Sequence, residues 1–272
     1  MFCKKKNYSI LKILEKSLNI PISPFIYKFA LYKDDKGQYW AAMKLIDLAL
    51  TISPDNGDYL ALQADICDEL GLSDQYCEIL LRLHELYGEK YDTFFNLAEC
   101  EKERGNTDKA IEYYEKSLKI NPNDIDVLNN YGVLIEKRNI NKALLLYKKA
   151  YKNSPDDSGI INNLANCYKK IGNSFEAEKL YKKAFELPDL TQRTRYNYAV
   201  FLYEQNNYDE ALKNALIAVE KDPESYRHYY LLGCIYEELG KLNLAIEYYE
   251  KAMALGSDRA KDALFELKKA NE

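Results

Sequence analysis

Catalysis needs reactive side chains that converge, and this chain has few candidates. Its two histidines, His84 and His228, have no partner at a spacing that would grip a metal or activate a nucleophile. No glycine-rich phosphate loop, nucleophile elbow or zinc-protease signature is present. The six cysteines, at 3, 67, 77, 100, 167 and 234, form no C-x-x-C or His-paired set and read as small buried apolar residues of a protein in a reducing cytosol. Carboxylates are abundant but read as solvated helix faces. Most of the tyrosines, among them Tyr113, Tyr114, Tyr147, Tyr181, Tyr248 and Tyr249, read as packing and groove-lining rings. These readings imply no enzyme, no metal and no cofactor. One polar residue type is placed regularly. Asn96, Asn130, Asn163 and Asn197 follow one another at intervals of 34, 33 and 34 residues, and an asparagine offers a donor and an acceptor together.

Composition sets the class. Hydrophobic residues make up 47% and charged residues 30% of the 272, enough apolar material to fold. The net charge of −5 gives no basic excess for nucleic acid. Glycine and proline fall singly at spaced positions, as helix punctuation does. At the N-terminus Lys12, Glu15 and Lys16 interrupt the apolar run, so no signal-peptide core or membrane span is read anywhere. Ile10, Leu11, Leu14 and Leu18 make a helical stripe instead, expected to be a capping helix over 1–22, with mitochondrial targeting as the alternative.

The helices that position the asparagines announce themselves as a repeat. The stretch AIEYYEK stands at 110–116 and again at 245–251, an offset of 135, which is four times 34 less one. Rows of 34 laid from Ser23 divide the chain into 23–56, 57–90, 91–124, 125–157, 158–191, 192–225 and 226–259, the fourth one residue short. The missing residue is expected in a turn after Asn139. Column eight reads Ala30, Ala64, Ala98, Gly132, Ala165, Ala199, Gly233, and columns twenty and twenty-seven are also mostly small, so two helices cross closely there. Large residues flank them, at column four (Ile26, Leu60, Phe94, Leu128, Ile161) and column twenty-four (Ile46, Leu80, Tyr114, Tyr147, Tyr181, Tyr249). Column fifteen is glycine except for Asn139 and Asn206, residue types that accept the left-handed conformation ending a helix. Column thirty-two carries Pro54, Pro122, Pro155 and Pro223, with Pro188 displaced by one, where the second helix stops. The second row departs most, with Gln63, Tyr76, Leu83 and Gly88 at signature columns.

This pattern resembles the tetratricopeptide repeat, and the row YDTFFNLAECEKERGNTDKAIEYYEKSLKINPND at 91–124 is close to that family's consensus. The resemblance covers 23–259. It implies an all-α, right-handed superhelical solenoid of helix–turn–helix units, with 260–272, where Ala260, Ala263, Leu264 and Leu267 share a face, as a C-terminal capping helix. One continuous solenoid, complete at 1–272 and without a catalytic domain, is expected.

The resemblance further implies that columns two, five, six, nine, twelve and thirteen of the first helices face or border a concave groove. There the column-six ladder of Asn96, Asn130, Asn163 and Asn197, with Asn129, Asn162 and Asn166 beside it, either pairs with the backbone of an extended peptide or bonds locally. Acids dominate the groove columns of rows one to three (Asp34, Asp65, Asp68, Glu69, Glu99 and Glu103 among them, against Lys102), whereas rows four to seven are balanced and include Arg193 and Arg227. A peptide with a basic part on the early rows and an acidic part near Arg193 and Arg227 is one reading, and ordinary solvation the other. A cochaperone-type carboxylate clamp, matched here at Asn162, Asn166, Asn197, Arg227 and Leu231, lacks two of its bases; Asn166, Asn197 and Arg227 could still form a weaker anion site. The expectation is a cytoplasmic adaptor that binds a protein or peptide partner, without nucleic acid or membrane insertion. The alternative is a structural or regulatory subunit of a larger assembly or homo-oligomer that uses another face.

Overall fold

The computed structural model describes residues 21–88, 94–188 and 190–270. The capping helix expected over 1–22 lies almost wholly outside them. Among the described residues the chain is all helical, and successive helices pair as hairpins. α1 (Ile22–Asp34), α2 (Tyr39–Ile52), α3 (Gly57–Glu69), α4 (Ser73–Tyr87), α5 (Phe94–Glu103) and α6 (Thr107–Ile120) belong to a first compact unit ending at Pro122. A second unit, from Asn123, holds α7 (Ile125–Ile135), α8 (Ile140–Asn153), α9 (Ser158–Lys170), α10 (Ser174–Phe185), α11 (Gln192–Glu204), α12 (Tyr208–Lys221), α13 (Tyr226–Glu238), α14 (Leu242–Ala254) and α15 (Asp258–Ala270). No described helix is long and apolar enough to cross a membrane.

Helix starts and stops follow backbone chemistry. Three first helices of the second unit begin at side-chain caps: Asp124 accepts from the Val127 N–H, Asp157 from Ile160 and Thr191 from Thr194, each satisfying a donor that the helix leaves unpaired. Second helices in this unit begin at Asn139, Asn173 and Asn207, which accept from Lys142, Glu176 and Glu210. Between the two helices a single left-handed residue reverses the chain, as at Gly172 (φ +79°), Gly240 (φ +70°) and Asn206 (φ +59°). Asn139 corrects the sequence reading. Its φ is −150°, and its side chain does the capping that Asn173 and Asn207 do one column further on. The residue lost from the fourth row is therefore the left-handed one before Asn139, not one after it. The turn is made instead by Arg138 and Asn139 N–H groups that both donate to the Ile135 carbonyl.

Packing explains the small columns. Ala30, Ala98, Ala110, Ala143, Ala165, Ala177, Ala199, Ala211, Ala245 and Ala252 are fully buried. At Gly132 and Gly233 the neighbour is closer still: an added Cβ would sit 2.5 Å from the Tyr147 ring and 2.4 Å from the Tyr249 ring. Those rings are fully buried, so they cannot swing away. In the first unit the less regular second repeat fills its hairpin with Leu60, Ala64, Cys77, Leu80 and Leu83, packed with Leu97 and Cys100 of α5.

Two of the cysteines also depart from the sequence reading. Cys77 of α4 and Cys100 of α5 are joined by a disulfide, their Cα atoms 5.9 Å apart, so they are not simply small apolar fillers. The cysteines thus give no argument for a reducing compartment, since such bonds persist where thiols are not kept reduced. Cys67 and Cys167 are free and buried, and burial pushes each thiol up to about 11.

α1 presents an apolar face. Phe25, Phe29 and Tyr32 are 64%, 59% and 53% exposed. The same columns in later repeats are covered: Tyr59, Ile66, Leu97, Cys100, Ile160, Leu164, Leu232 and Ile235 are all buried.

Two outcomes test this packing. Gly233→Ala gains roughly 1 kcal/mol of helix propensity yet drives a methyl into a fixed ring, an overpacking that costs about 1–3 kcal/mol. Urea unfolding should therefore show no stabilisation and most often a loss; a clear gain would mean that Tyr249 does not abut the position. In protein denatured without reductant, Cys67, Cys167 and Cys234 should alkylate while Cys77 and Cys100 stay protected until a reductant is added. Alkylation of Cys77 or Cys100 before reduction would show that the bond does not form.

Candidate functional site

In the second unit the first helices α7, α9, α11 and α13 carry the asparagines and arginines picked out by their spacing. The structure ties five of the amides into two bonded sets, Asn129 with Asn163 and Asn162 with Asn166 and Asn197. Asn163 Nδ2 on α9 donates to Asn129 Oδ1 on α7 at 2.9 Å, and Asn197 Nδ2 on α11 donates to Asn162 Oδ1 on α9 at 2.8 Å. Asn166 Nδ2 also reaches Asn162 Oδ1, at 3.4 Å, and its own carbonyl accepts from the Tyr181 hydroxyl at 2.7 Å. The rungs therefore do not join column six to column six. Asn163 and Asn197 each donate to the column-five asparagine of the repeat before. Asn162, the shared acceptor, is 2% exposed, while Asn129, Asn130, Asn163, Asn166 and Asn197 are half-buried. Local bonding, one of the two readings of the ladder, is thus present for most of it.

The second helices hold this face in place from behind. Buried tyrosines at column twenty-four send their hydroxyls toward the groove side of the first helix. Tyr114 donates to Glu99, Tyr181 to Asn166, and Tyr249 to Glu237 at 2.6 Å. Burial raises all three phenols, so each hydroxyl keeps its proton and remains a donor at ordinary pH.

Beyond Asn197 the ladder stops, because columns five and six at the next step are Tyr196 and Leu231. A cleft of about 650 Å³ opens at that point among α11, α13 and the start of α15. Tyr196, Tyr203, Tyr226 and Tyr230 line it, together with Val200, Leu231, Cys234, Arg227 and Arg259. Glu204 and Asp258 line it too, and Glu204 is held by Lys169 at 3.0 Å. Arg227 lies against Tyr226, with its guanidinium carbon 5.9 Å from the ring centre. Burial raises the Cys234 thiol, which leaves it an unreactive wall. Spacing pointed to Arg227 but not to the rest. Tyr196 and Tyr230 at column five and Tyr203 at column twelve were visible as groove positions, whereas Arg259 belongs to a terminal helix whose sequence reads only as a cap.

Arg193 is exposed at the start of α11, away from that cleft's lining. The bases of this unit are partly neutralised where they stand, Lys169 by Glu204 and Lys170 by Glu136 at 3.1 Å. Leu231, at the clamp column that would need a base, is buried.

Asn96 belongs to the first unit and is part of neither set. It borders a small depression with Asp68, Ser73, Tyr76, Glu99 and Glu103. Glu99 there accepts from Lys102 and from Tyr114. The acidic columns of this unit do converge: burial raises the Asp65 carboxyl and the charges of Asp34 and Asp68 add to it, and burial raises Asp34 with Asp35 and Glu69 adding.

Comparison with known proteins agrees with this geometry. Tetratricopeptide repeat profiles match residues 91–124, 146–179 and 196–260. A type IV pilus assembly protein of Pseudomonas aeruginosa, PilF, is 34% identical over 90 residues, 32% of this chain and 36% of PilF, so the match spans about a third of that relative's length. Among solved structures, a tetratricopeptide repeat protein of Parabacteroides merdae superposes with a TM-score of 0.67 at 20% identity, covering 91% of this chain and 97% of that one. YrrB, described as having an unusual peptide-binding site, superposes with a TM-score of 0.54 at 20% identity over 69% of this chain and 98% of its own. The recurring small columns, the capped hairpins and these matches make the chain a member of the tetratricopeptide repeat family.

Proposed function

We propose that the protein is a non-enzymatic scaffold that holds an extended peptide segment of a partner protein along the first helices of its second unit. Asn130, Asn163 and Asn197 meet the peptide backbone, Asn129, Asn162 and Asn166 position them, and Arg193 and Arg227 flank the path. Asn96 offers a separate polar contact on the first unit. The observation that carries this reading is the tie from Asn163 and from Asn197 to the column-five asparagine of the preceding repeat. A tethered amide has little rotamer freedom left to lose on binding. An amide nitrogen that donates once keeps a second hydrogen, and its carbonyl keeps lone pairs, so a fixed row can serve a backbone whatever side chains it carries. The similarity to a pilus assembly protein over 90 residues supports a role in protein interaction without naming a partner.

A specific observation favours a second reading, in which the chain docks into an assembly or a second copy by its end. That observation is the exposed face of Phe25, Phe29 and Tyr32 on α1.

The two readings separate experimentally. Partners captured from native lysate are truncated to a minimal peptide, and its affinity is measured for the parent, for the Asn130→Ala, Asn163→Ala, Asn197→Ala triple variant and for Phe25→Ser, Phe29→Ser. Each lost amide bond costs about 1 kcal/mol of stability, which leaves the core intact. Groove binding requires at least a tenfold loss (about 1.4 kcal/mol) in the triple variant and none in the phenylalanine variant. The reverse pattern would establish the end face and dismiss the groove.

A further inference from the structure

We infer that the cleft at the end of the asparagine ladder selects an acidic, proline-containing stretch of the bound peptide; this rests on the groove reading above and assigns its ligand chemistry. The ladder can grip any backbone, so selectivity must come from where it ends. Two features of the cleft decide what fits.

The first is a pair of guanidinium groups that form no ion pair among the described residues. Arg227 and Arg259 come from different helices, and both line the cleft beside Tyr196, whose phenol burial raises while the two guanidinium charges partly offset that rise. Neither guanidinium has a carboxylate within ion-pair distance among the described residues, whereas Lys169, Lys170, Lys213, Lys251 and Lys268 of the same unit do. The two carboxylates that also line the cleft have other partners: Glu204 is held by Lys169 at 3.0 Å, and Asp258 sits in the first turn of α15, where the helix N-terminus stabilises it. A guanidinium offers a planar fork of donors that matches a carboxylate. Both guanidinium groups therefore remain able to take a carboxylate, and a glutamate or aspartate side chain supplies it.

The second is the wall. Tyr196, Tyr203, Tyr226 and Tyr230 present rings with polar tips around a volume of about 650 Å³, at the step where the ladder's amides are replaced by Tyr196 and Leu231. Aromatic-lined grooves of this kind take proline in an extended, preorganised segment, because the ring stacks and the backbone has little entropy to lose. The occupant is thus a carboxylate beside a proline, with the rest of the segment running back along Asn197 and Asn163.

The test uses the full chain and labelled peptides about twelve residues long, amidated at the C-terminus so that no terminal carboxylate contributes. Fluorescence anisotropy should show an alternating Glu-Pro peptide binding at least about tenfold more tightly than Lys-Pro, and more tightly than Glu-Ala. Arg227→Gln with Arg259→Gln should weaken Glu-Pro binding by at least about tenfold, with helix content unchanged by circular dichroism, and raising salt from about 50 to about 500 mM should weaken it in the parent. Equal binding of Lys-Pro, or no effect of the arginine pair, overturns the inference. So does competition by oligothymidine at the same concentration, which would mark a general polyanion surface. The asparagine triple variant keeps the two readings apart: loss there with the arginine pair silent leaves the groove standing and removes the cleft, while loss only in the arginine pair keeps the cleft and removes the groove.

Discussion

The close crossing of two helices at a small residue is the constraint on which the rest depends. Where column eight is glycine there is no room even for a methyl group, because the Tyr147 and Tyr249 rings stand within 2.5 Å of where it would be. That contact fixes how far the second helix lies from the first and so how far a tyrosine at column twenty-four reaches. In three repeats its hydroxyl extends past the crossing to the groove side, to Glu99, Asn166 and Glu237. A packing interaction thereby becomes a positioning one. The buried phenols, raised above their usual range, act as permanent donors to those side chains.

Features dictated by this crossing were legible in the sequence because every repeat must satisfy it independently. Alanine or glycine at column eight, tyrosine or an aliphatic at column twenty-four and a turn residue at column fifteen state the same local requirement again and again, so one irregular row such as 57–90 does not hide the rest. Features that depend on a distance between repeats were not legible. Cys77 and Cys100 lie 23 residues apart in no recognisable motif, and their pairing follows only from where α4 and α5 place them. Asn139 looked like a left-handed residue because spacing cannot say which side of a turn lost its residue; the cap it offers to Lys142 decides the matter. The asparagines were found by period, but their partners were not, since the bond steps back one column as it crosses to the next helix.

That backward step has a consequence along the face. A rung needs an asparagine at column six and another at column five of the preceding repeat, so replacing one residue interrupts the ladder at a single place. Asn129 with Asn163 and Asn162 with Asn197 complete two successive rungs; at the next step both members change, to Tyr196 and Leu231, and the cleft opens. The same backbone geometry therefore carries two chemistries side by side. One is a row of amides indifferent to side chains, and the other is a tyrosine-walled space with two guanidinium groups that form no ion pair among the described residues.

The fold can tolerate such local changes because packing and recognition use different columns. Stability resides in columns four, eight, twenty, twenty-four and twenty-seven, whose residues are mostly buried in both units. The polar residues of the groove columns are half-buried or exposed among the described residues apart from Asn162, and their contacts reach only the neighbouring repeat. In a stack where each hairpin touches only the next, substitutions at distant groove positions act nearly independently on stability. Asn162 is the exception because it serves both purposes: it is buried, and it accepts from Asn166 and Asn197 at once. Removing its carbonyl would leave two amide donors without their acceptor, one of them bridging α9 and α11, so the cost of change on this face is concentrated there and falls away toward the cleft.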